Sequence, residues 1–294
     1  KRNAAAIRTD QWAGWDMGKV RGDLWGNPNL PKTPKQKIRS NLLDRVVFLD
    51  TMQLNPQTMR AFLDQIHHAG VKVIFGHAHS IYILAKFYKD EKISLPAMDG
   101  VIATSMMLLE HERVVIEEVF SCRVTDRYGC EEVGLISSEC ELHKGMHLNS
   151  EHVLVEFIDS DGQPVAAGVA AKIVVTDLNN HGMPLIRYQI EDMGIYSDEQ
   201  CPCGRGLPLM TEVSGRVADF LKTKSGDSVS GISLIERTLT DIPGVEQMQL
   251  IQNDLDSLVV NRVKGHEYST QTDILLTKEF QLVFGETVVV KIND

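Results

Sequence analysis

Cysteine is scarce in this chain, and long apolar runs are missing. The 294 residues include 5 cysteines, an odd number, and Cys201 and Cys203 stand only one residue apart. Such spacing does not favour a disulfide framework, so a reducing cytoplasm is the expected compartment. The most apolar stretch, residues 71–85, is interrupted by a lysine and two histidines. No membrane-spanning helix is therefore expected.

Net positive charge is also missing. The formal net charge is -10 at pH 7, and an acidic chain repels phosphate. Nonspecific binding to nucleic acid or to an anionic membrane is therefore not expected, although local donors can still bind ATP. A content of 43% hydrophobic and 24% charged residues is typical of a globular protein. The length suggests one or two domains.

Residues 55–126 alternate between helical and strand patterns. Asn55 is suited to cap a helix that begins at Pro56, and Gly70 to end it. Strand patterns follow at 71–75, 101–104 and 123–125, with helical patterns near 80–88 and 110–120. This order predicts a parallel sheet covered by helices, with ligands outside the carboxyl ends of its strands. Those ends lie at Gly76, at Thr104 and Ser105, and at Tyr128 and Gly129.

The pattern changes twice after this segment. Strands at 153–158 and 171–176, joined by a turn at 159–162, indicate an antiparallel β region. After residue 215 the order helix, strand, strand, helix, strand indicates a small α+β domain. The predicted fold class is α/β, with a large domain over 1–214 and a small mobile C-terminal domain over 215–294. Because the chain starts in a helical pattern and stops on an apolar strand, we expect both domains to be partial.

Two motifs carry groups that suit a nucleotide. In the segment 126–134, an aromatic side chain can stack on a base, a glycine allows close approach, and an acid can hold Mg²⁺. In the segment 183–194, Arg187 can serve a phosphate or a neighbouring carboxylate, and Asp192 can accept hydrogen bonds from both ribose hydroxyls. The alternatives are a solvated turn for the first motif and a strand with a terminal turn for the second.

A cysteine motif indicates a metal site. Cys201 and Cys203 flank a proline and supply half of a tetrahedral zinc site, and Cys140 and His147 can supply the other half. With all four positions taken by protein ligands, such a zinc ion would be structural. The alternative is two unrelated cysteine-bearing loops.

A fourth motif lies at the boundary of the two predicted domains. Gly215 and Arg216 in the segment 213–220 suit a hinge with a phosphate contact, and the alternative is a plain linker. His77 and His79 follow a buried strand pattern and can either line an acyl pocket or serve the fold.

Taken in order, these segments resemble the adenylate-forming (AMP-binding) superfamily. The resemblance is greatest to the phenylacetate-CoA ligase-like branch, with its CapK-like capsule-biosynthesis and coenzyme F390 synthetase-type relatives. It covers most of the chain and is most specific over residues 126–220. The matching segments are 128–132, 145–147, 183–192, 201–205 and 215–219.

The resemblance implies an ATP-dependent ligase. Such an enzyme converts a small carboxylic acid, an aryl acid among the possibilities, to an acyl-adenylate with the help of Mg²⁺, and then transfers the acyl group to CoA. The implied site residues are Glu132 and Arg216 for catalysis, and Thr104, Ser105, Tyr128, Gly129, Arg187 and Asp192 for the nucleotide. Tyr128 would stack on adenine, Glu132 would contact Mg²⁺ and phosphate, and Arg216 would act at the hinge.

Some parts that the resemblance implies are missing from the sequence. The phosphate loop should precede Lys1, the lysine-bearing loop should follow Asp294, and Glu131 stands where relatives carry Thr or Ser. We therefore expect this chain to bind AMP weakly without turnover. Two alternatives stay open: adenylation with a non-CoA acceptor, as in the coenzyme F390 synthetase or capsule-biosynthesis relatives, and a non-catalytic zinc-stabilised binding module. The sequence specifies neither the acid nor the oligomeric state.

Overall fold

The chain forms two compact units. The structure, a computed structural model, describes residues 2–26, 33–35, 45–216, 220–225 and 228–294. The first unit comprises Lys1–Ile190 and Gly194–Val213, and the second comprises Glu191–Met193 and Ser214–Asp294.

The first unit is built on a large sheet with helices. The helices are α1 (Arg2–Trp12), α2 (Pro56–Ala69), α3 (Ala78–Asp90) and α4 (Glu110–Phe120). The strands of the sheet are β1 (Arg21–Trp25), β2 (Val46–Asp50), β3 (Val73–His77), β4 (Gly100–Thr104), β5 (Val124–Cys130), β6 (Gly134–Glu139), β7 (Met146–Leu148), β8 (Val153–Ile158), β9 (Ala170–Asp177), β10 (Tyr188–Ser197) and β11 (Leu209–Arg216).

Parallel and antiparallel strands share this one sheet. Its 11 strands follow the order β2-β1-β3-β4-β5-β6-β7-β11-β10-β9-β8. The pairs β2–β1, β1–β3, β3–β4 and β4–β5 are parallel. The pairs β5–β6, β6–β7, β7–β11 and β8–β9 are antiparallel. The predicted antiparallel region therefore continues the parallel sheet. Strand β1 was not predicted, because two of its five residues, Arg21 and Asp23, are charged and interrupt the apolar pattern; in the structure they pair with each other.

Helices cover the parallel part as the sequence predicts. The Asn55 carboxamide accepts hydrogen bonds from the backbone N–H groups of Gln57 and Thr58, at 3.0 and 3.1 Å, and so caps α2. Gly70 ends the helix with a φ of 68°. The buried core against these helices includes Phe62, Ile66, Ile74, Ile81, Leu84, Ile116 and Phe120. On the other face of the sheet, residues 13–15 pack against Val73, Phe75 and Ile102.

The second unit has its own core. Its main elements are β12 (Phe220–Lys222), β13 (Ser228–Ser230), α5 (Gly231–Asp241), β14 (Val245–Ile251), β15 (Ser257–Lys264), α6 (Thr270–Phe284) and β16 (Val289–Asn293). β14 pairs antiparallel with β15, which pairs parallel with β16. Leu234, Leu258, Val260, Leu276 and Phe280 lie in the core. In the described parts of both units, no helix has the length and apolar character needed to cross a membrane.

Candidate functional site

The predicted adenine-binding residues lie where β4 ends beside β5. Thr104 is the last residue of β4, and its hydroxyl donates a hydrogen bond to the backbone carbonyl of Arg127 at 2.9 Å. Ser105 follows with a φ of 64° and is exposed. A left-handed backbone is uncommon for serine, and such backbones cluster at ligand sites. The carboxyl edge of the parallel strands is also where ligands bind in sheets of this kind.

Strand β5 continues through the motif that the sequence analysis placed after it. Tyr128 and Gly129 are strand residues, and a bulge separates them where β5 pairs with β6. Tyr128 is half-buried against the antiparallel core. A Cβ atom on Gly129 would lie 2.5 Å from the carbonyl oxygen of Gly134. The close approach of β6 therefore explains the glycine at this position without any contact to a ligand.

Glu132 lies in the exposed turn after β5. It accepts a hydrogen bond from the Tyr188 hydroxyl at 2.8 Å. A solvent-facing carboxylate of this kind suits Mg²⁺, which prefers oxygen ligands and keeps several waters. Burial, with Glu132 close by, raises the pKa of the Cys130 thiol to about 11, so this cysteine is protonated at neutral pH.

Arg187 contacts a carboxylate. Its Nε lies 3.2 Å from Glu156 Oε2, and its side chain is 53% exposed. Of the two roles predicted for Arg187, the structure shows the neighbouring carboxylate. Because the pair is largely solvated, its free energy is small, and an incoming phosphate can compete for the guanidinium.

Asp192 lies in β10 and Arg216 ends β11, in the short stretches of these two strands that group with the second unit. Their side chains are 3.5 Å apart, from Arg216 Nε to Asp192 Oδ1. Asp192 lies inside β10, so the alternative prediction of a turn after the strand is wrong. The rest of the predicted hinge motif, Val217, Ala218 and Asp219, lies outside the described residues.

A buried ionic network that was not predicted lies next to β5. Arg127 Nη1 donates to Asp10 Oδ1 at 2.5 Å, and Arg21 pairs with Asp23 at 2.6 Å. Both guanidiniums also lie over the Phe75 ring, within 5.4 Å of its centroid. Burial raises the pKa of Asp10, although the two arginines oppose that shift. The Asp10–Arg127 pair joins residues 117 positions apart, and no local pattern in a sequence reports such a contact.

The four predicted metal ligands lie together. The donor atoms of Cys140, His147, Cys201 and Cys203 are all within 4.8 Å of one another. Cys140 Sγ is 3.7 Å from Cys201 Sγ, and Cys203 Sγ is 3.5 Å from His147 Nε2. Tetrahedral zinc bonds would separate two sulfurs by about 3.8 Å, and a sulfur and a nitrogen by about 3.5 Å. These two distances therefore fit zinc, and the cysteine–histidine cluster is not two unrelated loops.

The surroundings of this cluster also suit a cation. Cys140 and His147 are fully buried, and all five cysteines of the chain are free thiols. Burial lowers the pKa of His147, which keeps its imidazole neutral as a ligand must be. Burial also raises the pKa of the Cys140 thiol to about 12 when no metal is present. A bound cation would reverse that effect, because thiolates are the form that coordinates metals.

Comparison with known proteins finds similarity to a CoA ligase and to CapK. Residues 221–294 match the family model of the CapK C-terminal domain. The phenylacetate-coenzyme A ligase of Thermus thermophilus is 34% identical over 113 residues, or 37% of this chain and 25% of that protein. Protein CapK of Staphylococcus aureus is 20% identical over 272 residues, or 91% of this chain and 59% of that protein. The chain therefore spans less than two thirds of either relative.

Solved structures show the same fold. A 2-hydroxyisobutyryl-CoA ligase in the postadenylation state aligns with a TM-score of 0.76 and 18% identity, over 99% of this chain and 65% of that one. ATP-bound MatB of Rhodopseudomonas palustris aligns with a TM-score of 0.65 and 17% identity, over 100% of this chain and 60% of that one. These likenesses confirm the predicted α/β fold.

Proposed function

We propose that this chain is the adenosine-binding part of an ATP-dependent ligase that converts a carboxylic acid to an acyl-adenylate and passes the acyl group to CoA. The observation that carries the proposal is the β4–β5 edge, where Thr104, Ser105 and Tyr128 lie at the end of the parallel strands. Support comes from solved neighbours of the same fold, which are complexes with acyl-AMP, with CoA or with ATP.

The roles follow from the chemistry of each group. Tyr128 offers a ring on which adenine stacks, beside the hydroxyls of Thr104 and Ser105. Glu132 would hold Mg²⁺, which when bound would neutralise phosphate charge. Arg187 exchanges its contact with Glu156 for a phosphate contact. In the second unit, Asp192 accepts the ribose hydroxyls and Arg216 contacts the nucleotide.

The proposal includes a structural zinc ion. The cysteine–histidine cluster has the donor set for zinc, and the Cys140–Cys201 and Cys203–His147 separations fit tetrahedral geometry. Four protein ligands leave no open position for a substrate, so this zinc would stabilise the fold and take no part in the chemistry.

A second candidate is adenylation with an acceptor other than CoA. It is favoured by the match of residues 221–294 to the CapK C-terminal domain. It is also favoured by the shared fold with the amide bond synthetase McbA of Marinactinospora thermotolerans, at a TM-score of 0.66 and 16% identity. With the full-length protein, acyl-adenylate that accumulates and is not consumed by added CoA would favour this candidate.

The test of nucleotide binding is a calorimetric titration of the 294-residue chain with AMP. Replacing Tyr128 with alanine removes the stacking surface, so we expect an affinity loss of about tenfold or more, since stacking contributes about 1–3 kcal/mol. The conservative Tyr128→Phe variant keeps an aromatic ring and should bind within a few-fold of the wild type. No binding of AMP by the wild-type chain would reject the proposal.

A further inference from the structure

Helix α1 ends against the cysteine–histidine cluster. The Trp12 ring meets the His147 ring edge-on, with centroids 5.5 Å apart and an angle of 66° between planes. Trp12 also packs against Cys140 and Cys201, and the Arg205 guanidinium lies over its ring at 4.6 Å from the centroid. The ligands of the proposed metal and the end of α1 thus form one packed group within the first unit.

The same helix contacts the strand that carries Tyr128. Asp10, two residues before Trp12, is 6% exposed and accepts the hydrogen bond from Arg127. The backbone carbonyl of Arg127 accepts the Thr104 hydroxyl. Arg127 therefore connects α1 to both strands of the proposed adenine site. Its carbonyl contacts Thr104 on β4, and Tyr128 follows it directly on β5.

A second connection runs through the residue beside Cys140. Glu139 accepts a hydrogen bond from the backbone N–H of Asp126 at 2.8 Å. The Nη2 group of Arg113 donates to both carboxylate oxygens of Glu139 at 3.1 Å. Glu139, which directly precedes the proposed metal ligand Cys140, therefore holds the start of β5. Asp10 on α1 holds Arg127.

We propose that metal occupancy of the cluster and adenine-nucleotide binding at the β4–β5 edge are positively coupled, with Trp12 and Asp10 as positioning residues. This inference rests on the proposed function. A metal ion would hold the four ligands, and with them the surface on which Trp12 packs. Without the ion that surface loosens, so nucleotide binding must also order α1 and Arg127, which costs conformational entropy. Coupling between two binding sites is reciprocal, so AMP must strengthen metal binding by the same factor.

The experiment measures both directions on the intact chain. The protein is stripped with a chelator, divided, and one half is reloaded with zinc sulfate. Calorimetry with AMP should give an affinity about fivefold or more higher for the zinc-loaded half. Competition with a chromophoric zinc chelator should show an equal gain in zinc affinity when AMP is saturating. This second measurement uses wild-type protein and does not depend on any variant folding.

Variants then assign the coupling to α1. Trp12→Ala and Asp10→Asn should each reduce the zinc effect on AMP affinity to about twofold or less, while zinc still binds. The control is Gln11→Ala, an exposed residue between them, which should keep the full effect. Circular dichroism confirms that each variant is folded.

Each possible result bears on the coupling, on the proposed function or on the positioning roles. Equal AMP affinity with and without zinc would overturn the coupling and leave the proposed function standing. No AMP binding in either state would reject the proposed function, and the coupling with it. Failure of the stripped protein to take up zinc would overturn the coupling, whereas AMP binding would still be measured. A full zinc effect in Trp12→Ala and Asp10→Asn would reject the positioning roles.

Discussion

At the scale of single residues, Asp126 is unusual because it is half-buried and lies next to another acid, Glu139. Burial raises the pKa of Asp126 to about 7, the Glu139 charge adds to the shift, and Arg113 opposes it. The folded chain therefore holds a proton on Asp126 at pH values where the unfolded chain, with a pKa near 3.8, has released it. Stability from this group is present at low pH and is lost as pH rises toward about 7.

Replacing Asp126 with asparagine should flatten this part of the pH profile. Asparagine fills the same space without a titrating proton. The free energy of unfolding of the variant should therefore rise relative to that of the wild type as the pH increases from about 5 to about 8. Urea unfolding across that range measures the difference. Asp161→Asn, at an exposed turn, is the control and should leave the profile unchanged. A difference between variant and wild type that is constant with pH would contradict the pKa shift.

Some residue roles were predictable and others were not. Asn55 and Gly70 act on the backbone within a few positions, so their capping roles follow from the local sequence. The grouping of Cys140 and His147 with the later cysteine pair was also predicted, because zinc chemistry demands four ligands of known types. The Asp10–Arg127 pair was missed, since each residue alone resembles an ordinary surface charge.

At the scale of elements, the small sheet is held to its helix by a buried arginine. Arg262 of β15 has a side chain only 5% exposed, and its Nε and Nη2 each lie 2.9 Å from a carboxylate oxygen of Asp273 on α6. The same guanidinium also pairs with Asp294. Hydrogen bonding to Arg262 lowers the pKa of Asp273, which marks the pair as favourable in its ionised form.

Breaking this contact should destabilise the second unit. Arg262→Met removes charge-assisted hydrogen bonds but leaves Asp273 accessible to water, so we expect a loss of about 1.5–3 kcal/mol. Lys264→Met is the matched control: it lies on the same strand and pairs with Asp294, but both side chains are exposed. That change should cost less than about 1 kcal/mol. Urea unfolding followed by far-UV circular dichroism compares them, and equal losses would refute the distinction.

The elements themselves were predicted better than their ends. Helix α4 has the predicted bounds, residues 110–120, because its apolar spacing is regular. Strand β5 extends past its predicted end, since its last residues pair with β6 and gain their stability from that neighbour. Pairing across a sheet is a tertiary contact, so a local pattern underestimates the length of such a strand.

At the scale of the whole molecule, the two units have separate cores and different optical probes. All three tryptophans, Trp12, Trp15 and Trp25, lie in the first unit. Tryptophan fluorescence therefore follows the first unit only, whereas far-UV circular dichroism follows helices and strands in both.

We expect these two signals to give different urea unfolding curves. Separate cores can unfold in separate steps, and curves that fail to coincide are the standard sign of more than two states. Arg262→Met should shift the circular dichroism curve and leave the fluorescence midpoint in place. Coincident curves for the wild type, shifted together in the variant, would show that the units unfold as one.

The cysteine–histidine cluster also bears on how the chain folds. Cys140 and Cys201 are 61 positions apart, and the pairing of β7 with β11 lies beside them. Bringing such distant segments together costs chain entropy before the contacts repay it, and non-local pairings of this kind slow folding. The pairing of β7 with β11 in the large sheet should therefore form late in folding. A metal ion able to join the two segments would favour the closed form, so zinc supplied during refolding should raise the yield of native protein.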